Sequence, residues 1–359
     1  MASQESLNQN TAIDFLSKPA SYGLIRETVE RVDTHCSIVF LAGNCAYKLK
    51  RAIRFASLDY TTIEARKAAV QAELILNRRT APDLYLATRT ISHEDDGRVT
   101  FDGSGPALDY VVVMRRFDQT ELFDAMEPKG RLTASLMREV GTIVAQFHVG
   151  AQQMPKFGGS EAIGRVIVDN ERELNRAAPL LGDAPIGSWG NLARAALTRL
   201  GPLLDRRRQD GKVRRCHGDL RLANICLWNG RPTLFDCIEF SDDISCIDIL
   251  YDLAFLLMDL KLRDRDDLAE ATLNAYLEQA PEWDGVPAMH LFLSLRAATR
   301  AYALANAARR RKSAIEAERL AVFAQSHMRA ARLSSRSLST ITLPIASLPP
   351  NFGICCAPT

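Results

Sequence analysis

The strongest constraint on the fold is a change of sequence pattern near Asp118. The residues before it form short β-branched and apolar runs separated by turn residues, as in VERVDTHCSIVFLAGNCAYKLK and LDYVVVMRRFD, a pattern typical of strands. Most of the residues after it carry the spacing of amphipathic helices. A chain divided in this way is expected to adopt an α+β fold in which sheet and helices are segregated.

The first part is predicted to be a five-stranded antiparallel sheet with one inserted helix. Three strands are expected between Val29 and Lys50, and the remaining two in the text that runs from YLATRTISH through RVTFDG to LDYVVVMRRF. Residues 62–79 favour a helix, because they are rich in Ala, Glu, Lys and Leu at helical spacing, with Thr61 or Thr62 as N-cap and Pro82 beyond the end.

The second part is predicted to be a larger, mainly helical lobe. We assign residues 10–117 to the small lobe, 118–333 to the helical lobe and 334–359 to a disordered tail rich in Ser, Pro and Thr. The basic run Arg309–Lys312 is expected to be a solvated face of the last helix.

Composition narrows the functional classes. The chain has 359 residues, 47% of them hydrophobic, and a formal net charge of +2, so it is globular and has no field that would favour nucleic acid or an anionic membrane. Its eight cysteines form no C-x-x-C pair, and its N-terminus does not have the pattern of a secretory signal. We therefore expect a cytoplasmic protein whose cysteines are reduced. No stable protein partner can be inferred from the sequence.

A cluster of polar residues stands out within CHGDLRLANICLWNGRPTLFDCIEF. His217, Asp219 and Asn224 fit the pattern H-x-D-L-x-x-x-N, and Asp236 follows twelve positions after Asn224. The dipeptide Asn-Gly between them is a strong hairpin signal. One hairpin is therefore predicted to carry both ends of the polar set.

Phosphoryl transfer is the chemistry that this set suits. Asp219 would orient or deprotonate the acceptor hydroxyl, and the oxygens of Asn224 and Asp236 are hard ligands that suit magnesium. His217 would brace the loop. The plainer interpretation, a hairpin with polar turn residues, is favoured for each residue alone but not for the combination.

Such a site also needs a lysine and a carboxylate from the first lobe. In CAYKLK, Ala46 and Lys48 share one face of a strand, so Ala46 could flank the base of ATP while Lys48 reaches its phosphates. Lys50 shares that face and stays an alternative. For the carboxylate we favour Glu73, in mid-helix, over Glu64 in the exposed first turn.

The segment between the lobes is predicted to bind adenine. The strand LDYVVVMRRF leads into it, and backbone groups of Met114, Arg115, Arg116 and Phe117 would face the base. No G-x-G-x-x-G occurs in the first sheet, so the phosphate loop would be the polar turn THCS at residues 34–37.

These segments together resemble a known family. HGDLRLANICL, LFDCIEF and DILYDLAFLLMDL, preceded by AYKLK and AELILNRR, are similar to the aminoglycoside phosphotransferase-like branch of the protein-kinase-like fold, over roughly residues 10–333. The resemblance implies a two-lobed fold, ATP and magnesium as cofactors, Asp219 as catalytic base, and Asp252 as support of the catalytic loop.

The chain departs from related patterns in informative ways. Gly218 stands where protein kinases usually have arginine, and Asp236 is followed by Cys237 instead of Phe-Gly, which points to small-molecule kinases. The resemblance is closest to a bacterial subgroup in which a P-loop kinase-like domain often follows. No Walker motif occurs here; the nearest text, GSEAIGRV from Gly159, has Arg165 in place of lysine and is predicted to be a loop.

The functional expectation is an ATP-dependent phosphotransferase that acts on a hydroxyl of a small molecule. A nucleotide-binding pseudokinase and a purely structural partner protein are the alternatives. A cationic, aminoglycoside-type acceptor would require an acidic pocket in the helical lobe, for which the candidates are Glu239, Asp242, Asp243 and Asp259.

Overall fold

The computed structural model describes residues 4–309, except 26, 56–57 and 183–185, together with scattered positions from 315 to 331. The predicted tail, residues 334–359, and most of the basic run at 309–312 lie outside the described residues. The described chain has the predicted α+β architecture of two lobes, a sheet-based first lobe and a mainly helical second lobe. Among these residues, no helix is both long and apolar enough to cross a membrane.

The first lobe is built on an antiparallel sheet that is continuous from edge to edge. Its helices and strands are α1 (Gln4–Leu16), β1 (Glu30–Asp33), β2 (Ser37–Ala42), β3 (Cys45–Lys50), β4 (Arg54–Phe55), β5 (Leu58–Asp59), α2 (Ile63–Asn77), β6 (Tyr85–His93), β7 (Val99–Phe101) and β8 (Ala107–Arg115). The sheet has the order β1-β2-β3-β8-β6-β7, and β4 and β5 form a separate small hairpin.

Two features of this lobe differ from the sequence prediction. The described sheet has six strands, not five; its edge strands give weak signals, because β1 is exposed throughout and β7 has only three residues. The helix α1 was also not predicted. It packs on the sheet through Ala12 and Leu16, and tertiary contact rather than its own amphipathicity holds it in place.

The helix α2 is the predicted one. Its N-cap is Thr62, whose side chain accepts a hydrogen bond from the backbone N–H of Ala65. The face that packs on β8 buries polar residues, including Arg66, Glu73 and Asn77. Buried polar side chains on a helix require partners, and each of these three has one in the first lobe or across the cleft.

The second lobe contains the remaining helices and two small sheets. These elements are α3 (Phe123–Met126), α4 (Ala134–Gly150), α5 (Gly159–Leu181), α6 (Ile186–Gln209), β9 (Val213–Arg215), β10 (Ile225–Trp228), β11 (Arg231–Leu234), α7 (Asp242–Ser245), β12 (Cys246–Asp248), α8 (Ile249–Lys261), α9 (Asp266–Gln279) and α10 (Met289–Arg309). The strand β9 pairs with β12, and β10 pairs with β11. The largest apolar core lies among these helices.

The expectation that GSEAIGRV is a loop was wrong, because these residues open α5. Two consecutive glycines with positive φ, Gly158 and Gly159, lead into the helix, so its start does not have the usual N-cap pattern. The capping acceptor comes from α6 instead. The Asp205 carboxylate accepts hydrogen bonds from the backbone N–H and the hydroxyl of Ser160 at 2.9 and 2.8 Å.

A buried ion pair fixes the start of α8. Asp248, its N-cap, accepts a hydrogen bond from the N–H of Leu250 at 2.9 Å. The Arg207 guanidinium of α6, fully buried, donates to both Asp248 oxygens at 2.8 and 3.0 Å. Because α8 carries Asp252 one turn later, this pair fixes the position of that carboxylate relative to the loop at residues 217–220.

A second buried ion pair ties the first lobe together. The Arg66 guanidinium lies 2.9 Å from Asp109 on β8, and both side chains are fully buried. Gln9 of α1 donates to the same carboxylate at 2.8 Å. One carboxylate on the central sheet therefore holds both helices of the lobe.

Removal of this arginine is expected to destabilise the first lobe strongly. Arg66→Ala leaves the Asp109 carboxylate buried without its cation, which should lower the free energy of unfolding by about 3–5 kcal/mol. Urea denaturation followed by circular dichroism measures the change. Arg98→Ala, which removes an exposed arginine paired with Asp96, is the control and should leave the free energy of unfolding nearly unchanged. Equal effects of the two substitutions would contradict the structural role of the buried pair.

Candidate active site

The polar cluster recognised in the sequence lies on one hairpin. The strands β10 and β11 pair with Ile225 opposite Leu234, and the turn residues Asn229 and Gly230 both have positive φ, as a two-residue hairpin turn requires. The backbone N–H of Phe235 donates to the carbonyl of Asn224 at 3.0 Å. Asn224 and Asp236 therefore lie side by side at the open end of the hairpin.

A buried carboxylate holds the loop that enters this hairpin. Asp252 of α8 accepts hydrogen bonds from the backbone N–H groups of His217 and Gly218 at 3.0 and 2.9 Å. His148 of α4 lies 3.1 Å from the same carboxylate. Burial raises the pKa of Asp252, but the hydrogen bond and charge of His148 outweigh it and bring the pKa to about 2. Asp252 is therefore ionised, and each of its two oxygens accepts a hydrogen bond from the loop.

The glycine at position 218 is required by the backbone. Its φ is +83°, in the left-handed region that favours glycine. A Cβ atom here would lie 3.0 Å from the Ile238 side chain and 3.2 Å from the carbonyl of Ile244. The positive φ and these two close contacts explain why no larger side chain occupies position 218.

His217 braces the loop through its ring and its backbone. Its Nε2 lies 2.9 Å from the carbonyl of Phe235, and its own carbonyl accepts from the N–H of Ile238 at 2.9 Å. Burial lowers the pKa of the imidazole below its ordinary value, so the ring is neutral at pH 7. Because a carbonyl only accepts, Nε2 carries the proton.

Asp219 points into the cleft but is not free. Arg221 donates to both of its oxygens, from Nε at 2.7 Å and from Nη2 at 2.8 Å. The amide of Asn224 donates to the Asp219 side chain at 2.9 Å. Burial raises the pKa of Asp219, but the charge and hydrogen bonds of Arg221 outweigh it, and the pKa lies below its ordinary value. The carboxylate is therefore ionised at neutral pH.

Two lysines of β3 share one buried glutamate. Glu73 of α2 lies 2.8 Å from Nζ of Lys48 and 2.5 Å from Nζ of Lys50. Lys48 also contacts Asp236 at 2.5 Å, and Lys50 contacts Glu239. Burial raises the pKa of Glu73, but the two ammonium groups outweigh it and lower the pKa to about 2.

The two lysines differ in what they reach. Lys48 meets Asp236, which is 42% exposed, whereas Lys50 is nearly buried and meets Glu239, which is also bonded by the Tyr60 hydroxyl. Of the two, Lys48 has the position nearer to a ligand in the cleft. Glu64, the alternative carboxylate, is exposed in the first turn of α2.

Except for Glu73, which is fully buried behind Lys48, the predicted site residues of the first lobe border one cleft. Its cavity of about 550 Å³ is lined by Ala46, Lys48, Met114, Arg115, Arg116, Asp219, Asn224 and Asp236, among others, and also by the turn at residues 34–37. Ala46 and Met114 are cross-strand partners, so they form one apolar wall. Phe117 and Phe235, in edge-to-face contact at 5.3 Å, continue this wall toward the second lobe.

The segment between the lobes has fewer free backbone N–H groups for a bound base than its sequence suggests. The backbone N–H of Arg115 donates to the carbonyl of Leu84, and that of Arg116 donates to the carbonyl of Asn44, both at 2.9 Å. The side chain of Arg116 also pairs with Glu30. A base in this cleft would therefore have to use other backbone groups of residues 114–117.

The donor set of Asn224 and Asp236 fits a hard cation. The Asn224 side-chain N–H group is directed at Asp219, which leaves the amide oxygen as its remaining polar atom. Asp236 is held with a positive φ of 61°, and its N–H donates to the Tyr85 hydroxyl at 3.1 Å. An amide oxygen and a partly exposed carboxylate are ligands that magnesium accepts.

Most of the acidic residues considered as a pocket for a cationic acceptor already have partners within the protein. Glu239 is bonded to Lys50 and Tyr60, and Asp242 pairs with Arg215 at 2.7 Å. Asp259 accepts from the N–H of Leu222 at 3.0 Å and lies 3.4 Å from Arg263. Asp243 is exposed. Three of the four candidates are therefore already partnered within the protein.

Several residues that hold the site were not singled out from the sequence. His148 orients Asp252, Asn77 accepts from the N–H of Cys237 at 2.9 Å, and Arg221 binds Asp219. Arg221 could have been found, because it lies inside the motif itself. The contacts of His148 and Asn77 depend on tertiary packing of α4 and α2, for which the sequence carries no local signal.

Comparison with solved structures shows the fold. A choline kinase from Cryptosporidium parvum Iowa II superposes with a TM-score of 0.55 at 10% identity, over 90% of this chain and 95% of that one. The GDP complex of aminoglycoside 2′-phosphotransferase-IIIa gives 0.50 at 12% identity, over 88% and 98%. The resemblance inferred from the motifs is confirmed at the level of the protein-kinase-like fold.

Comparison of sequences gives the family. An uncharacterized protein of Mycobacterium tuberculosis is 30% identical over 274 residues, which is 75% of this chain and 53% of that protein. The chain thus spans about half the length of the curated relatives it matches. Residues 61–291 match the sequence profile of the phosphotransferase enzyme family. Because the matched region covers most of the chain, including both sides of the cleft, the protein belongs to the phosphotransferase enzyme family.

Proposed function

We propose that the protein transfers the γ-phosphoryl group of ATP to a hydroxyl of a small molecule. One observation carries the proposal: Lys48 of the first lobe, held by Glu73, borders the same cleft as Asp219, Asn224 and Asp236 of the second lobe. Phosphoryl transfer needs this combination of a cation for phosphates, oxygen ligands for a metal, and a carboxylate for the acceptor.

The nucleotide is proposed to lie with its base against the wall formed by Ala46 and Met114. Its phosphates would meet Lys48, whose ammonium is held by Glu73 at 2.8 Å and is therefore pre-positioned. Burial lowers the pKa of Lys48, but the neighbouring carboxylates outweigh it and hold the pKa well above its ordinary value. The lysine stays charged at any pH near neutrality.

Asn224 and Asp236 are proposed to hold magnesium. When bound, the ion would neutralise phosphate charge and hold the phosphates in line with the acceptor. Asp236 would then exchange part of its contact with Lys48 for the metal. The positive φ at Asp236 and the Tyr85 hydroxyl at its N–H keep its carboxylate directed into the cleft.

Asp219 is proposed to receive the acceptor hydroxyl. The hydroxyl oxygen would form the new bond to the γ-phosphorus while the bond to the β–γ bridging oxygen breaks, and ADP would leave with that electron pair. The hydroxyl proton would pass to Asp219 and then to solvent. Because the pKa of Asp219 is low, it would act mainly by orienting the hydroxyl and only briefly hold the proton.

A nucleotide-binding protein without phosphotransferase activity is the second candidate. The observation in its favour is the double hydrogen bond from Arg221, which occupies both Asp219 oxygens. If Arg221 never leaves, ATP would bind but no hydroxyl could reach the carboxylate. Turnover measurements distinguish the two functions.

Asp219→Ala is expected to lower turnover strongly and to spare nucleotide binding. Loss of a group that orients or deprotonates the acceptor should reduce kcat by about 10²–10⁴-fold. ADP release and calorimetric ATP titration measure the two effects. Asp95→Ala, at an exposed turn, is the matched control. Normal turnover in Asp219→Ala would refute the proposed mechanism.

Asp236→Ala is expected to weaken the binding of ATP in the presence of magnesium. The loss of one charged ligand, about 2 kcal/mol, should raise Kd roughly thirtyfold. Titrations with magnesium and with a chelator measure the difference, which should be large in the natural chain and small in the variant. An unchanged magnesium dependence would assign the metal to other residues.

A further inference from the structure

Lys50, the second lysine of β3, borders the cleft but takes no part in the proposed reaction. Its ammonium lies 2.5 Å from one oxygen of the buried Glu73, whereas that of Lys48 lies 2.8 Å from the other oxygen. Burial lowers the pKa of Lys50, but Glu73 and Glu239 outweigh it and hold the pKa above its ordinary value. Lys50 is therefore a buried cation that depends on two carboxylates, one from each lobe.

Glu239 is the carboxylate that the second lobe supplies. Its side chain is only 5% exposed, and one of its oxygens accepts hydrogen bonds from the ammonium of Lys50 and from the hydroxyl of Tyr60, the latter at 2.6 Å. Burial raises the pKa of Tyr60 above its ordinary value, so the hydroxyl is protonated and donates. Phe240, the next residue, packs on a small apolar cluster that contains Tyr60. Polar and apolar contacts together attach this part of the second lobe to the first.

Two adjacent ion pairs thus cross the cleft. Lys48 contacts Asp236 at 2.5 Å, and Lys50 contacts Glu239, three residues further along the same segment. The two lysines alternate along β3 and the two carboxylates lie at the ends of residues 236–239, so both pairs join the same two pieces of chain. In the proposed function, the first pair is partly exchanged for magnesium. The second pair involves no proposed metal ligand and can remain in place.

Building on the proposed phosphotransfer, we propose that Lys50 and Glu239 are positioning residues for the nucleotide and its metal. Lys50 supplies part of the positive charge that Glu73 needs, so that Lys48 is free to hold the phosphates. Glu239 balances the charge of Lys50 and holds the segment that begins at Asp236 against the first lobe. Neither residue contacts the groups that react.

The two residues should act differently when each is lost alone. Without Lys50, Glu73 would depend on Lys48 and would draw it away from the phosphates. Without the charge of Glu239, Lys50 would pair with Glu73 alone. Lys48 would then be left to Asp236, in competition with magnesium. Removal of both residues takes away one positive and one negative charge, so the balance among the other three charged groups is unchanged.

A double-mutant cycle on ATP binding tests this pairing. Lys50→Met, Glu239→Gln and the double variant are titrated calorimetrically with ATP, once with magnesium and once with a chelator. Glu239→Gln should raise the Kd with magnesium roughly fivefold or more and leave the Kd with chelator nearly unchanged, whereas Lys50→Met should raise both. The double variant should bind ATP with magnesium roughly fivefold or more tightly than the product of the two single effects predicts.

Further variants keep the test independent of folding. Tyr60→Phe removes one hydrogen bond from Glu239 and keeps the ring that lies 5.6 Å from the ammonium of Lys50. It should weaken ATP binding with magnesium in the same way as Glu239→Gln, by a smaller factor. The control is Arg138→Met with Glu278→Gln, an exposed pair between α4 and α9, which should leave each Kd unchanged. Thermal melting of every variant reports its stability.

The outcomes separate this inference from the function on which it rests. Additive effects in the cycle, or an equal weakening by Glu239→Gln with magnesium and with chelator, would reduce the pair to a structural contact and leave phosphotransfer standing. If Lys50→Met does not fold, Glu239→Gln and Tyr60→Phe decide, and an unchanged Kd with magnesium in both overturns the positioning role. A natural chain that does not bind ATP with magnesium overturns the proposed function, and the inference with it.

Discussion

The site depends on a glutamate that is buried between two lysines. Glu73 could not remain ionised inside the first lobe without Lys48 and Lys50, and the lysines could not remain charged without it. Each lysine also reaches a carboxylate of the second lobe, Asp236 or Glu239. The same charges that attach α2 to the sheet therefore connect the two lobes across the cleft. Disturbance of any one of them alters the position of the others.

The sequence was sufficient to predict the two-lobed fold and the hairpin, because both have local signals. Asn229-Gly230 specifies a turn, and the register that follows brings the ends of the strands together. The edges of the sheet were less predictable, since β1 and β7 bury little surface. The start of α5 was missed because its capping acceptor, Asp205, comes from another helix.

The residues of the candidate site could be proposed from the sequence, but which of their charges are paired with one another could not. Motif spacing brought Asp219 and Asn224 into consideration, and strand alternation did the same for Ala46 and Lys48. Neither pattern gave any indication that Arg221 would donate to both oxygens of Asp219. Charge balance in a cleft depends on which side chains are already partnered, and that is a property of tertiary structure.

The hairpin has a consequence for how this chain can vary in length. The separation of Asn224 and Asp236 depends on the pairing of β10 with β11, so an inserted residue within either strand would turn one of the two side chains to the opposite face. An insertion at the exposed turn Asn229-Gly230 leaves that pairing unchanged. Length variation in relatives should therefore accumulate at the tip of the hairpin and be absent from its arms.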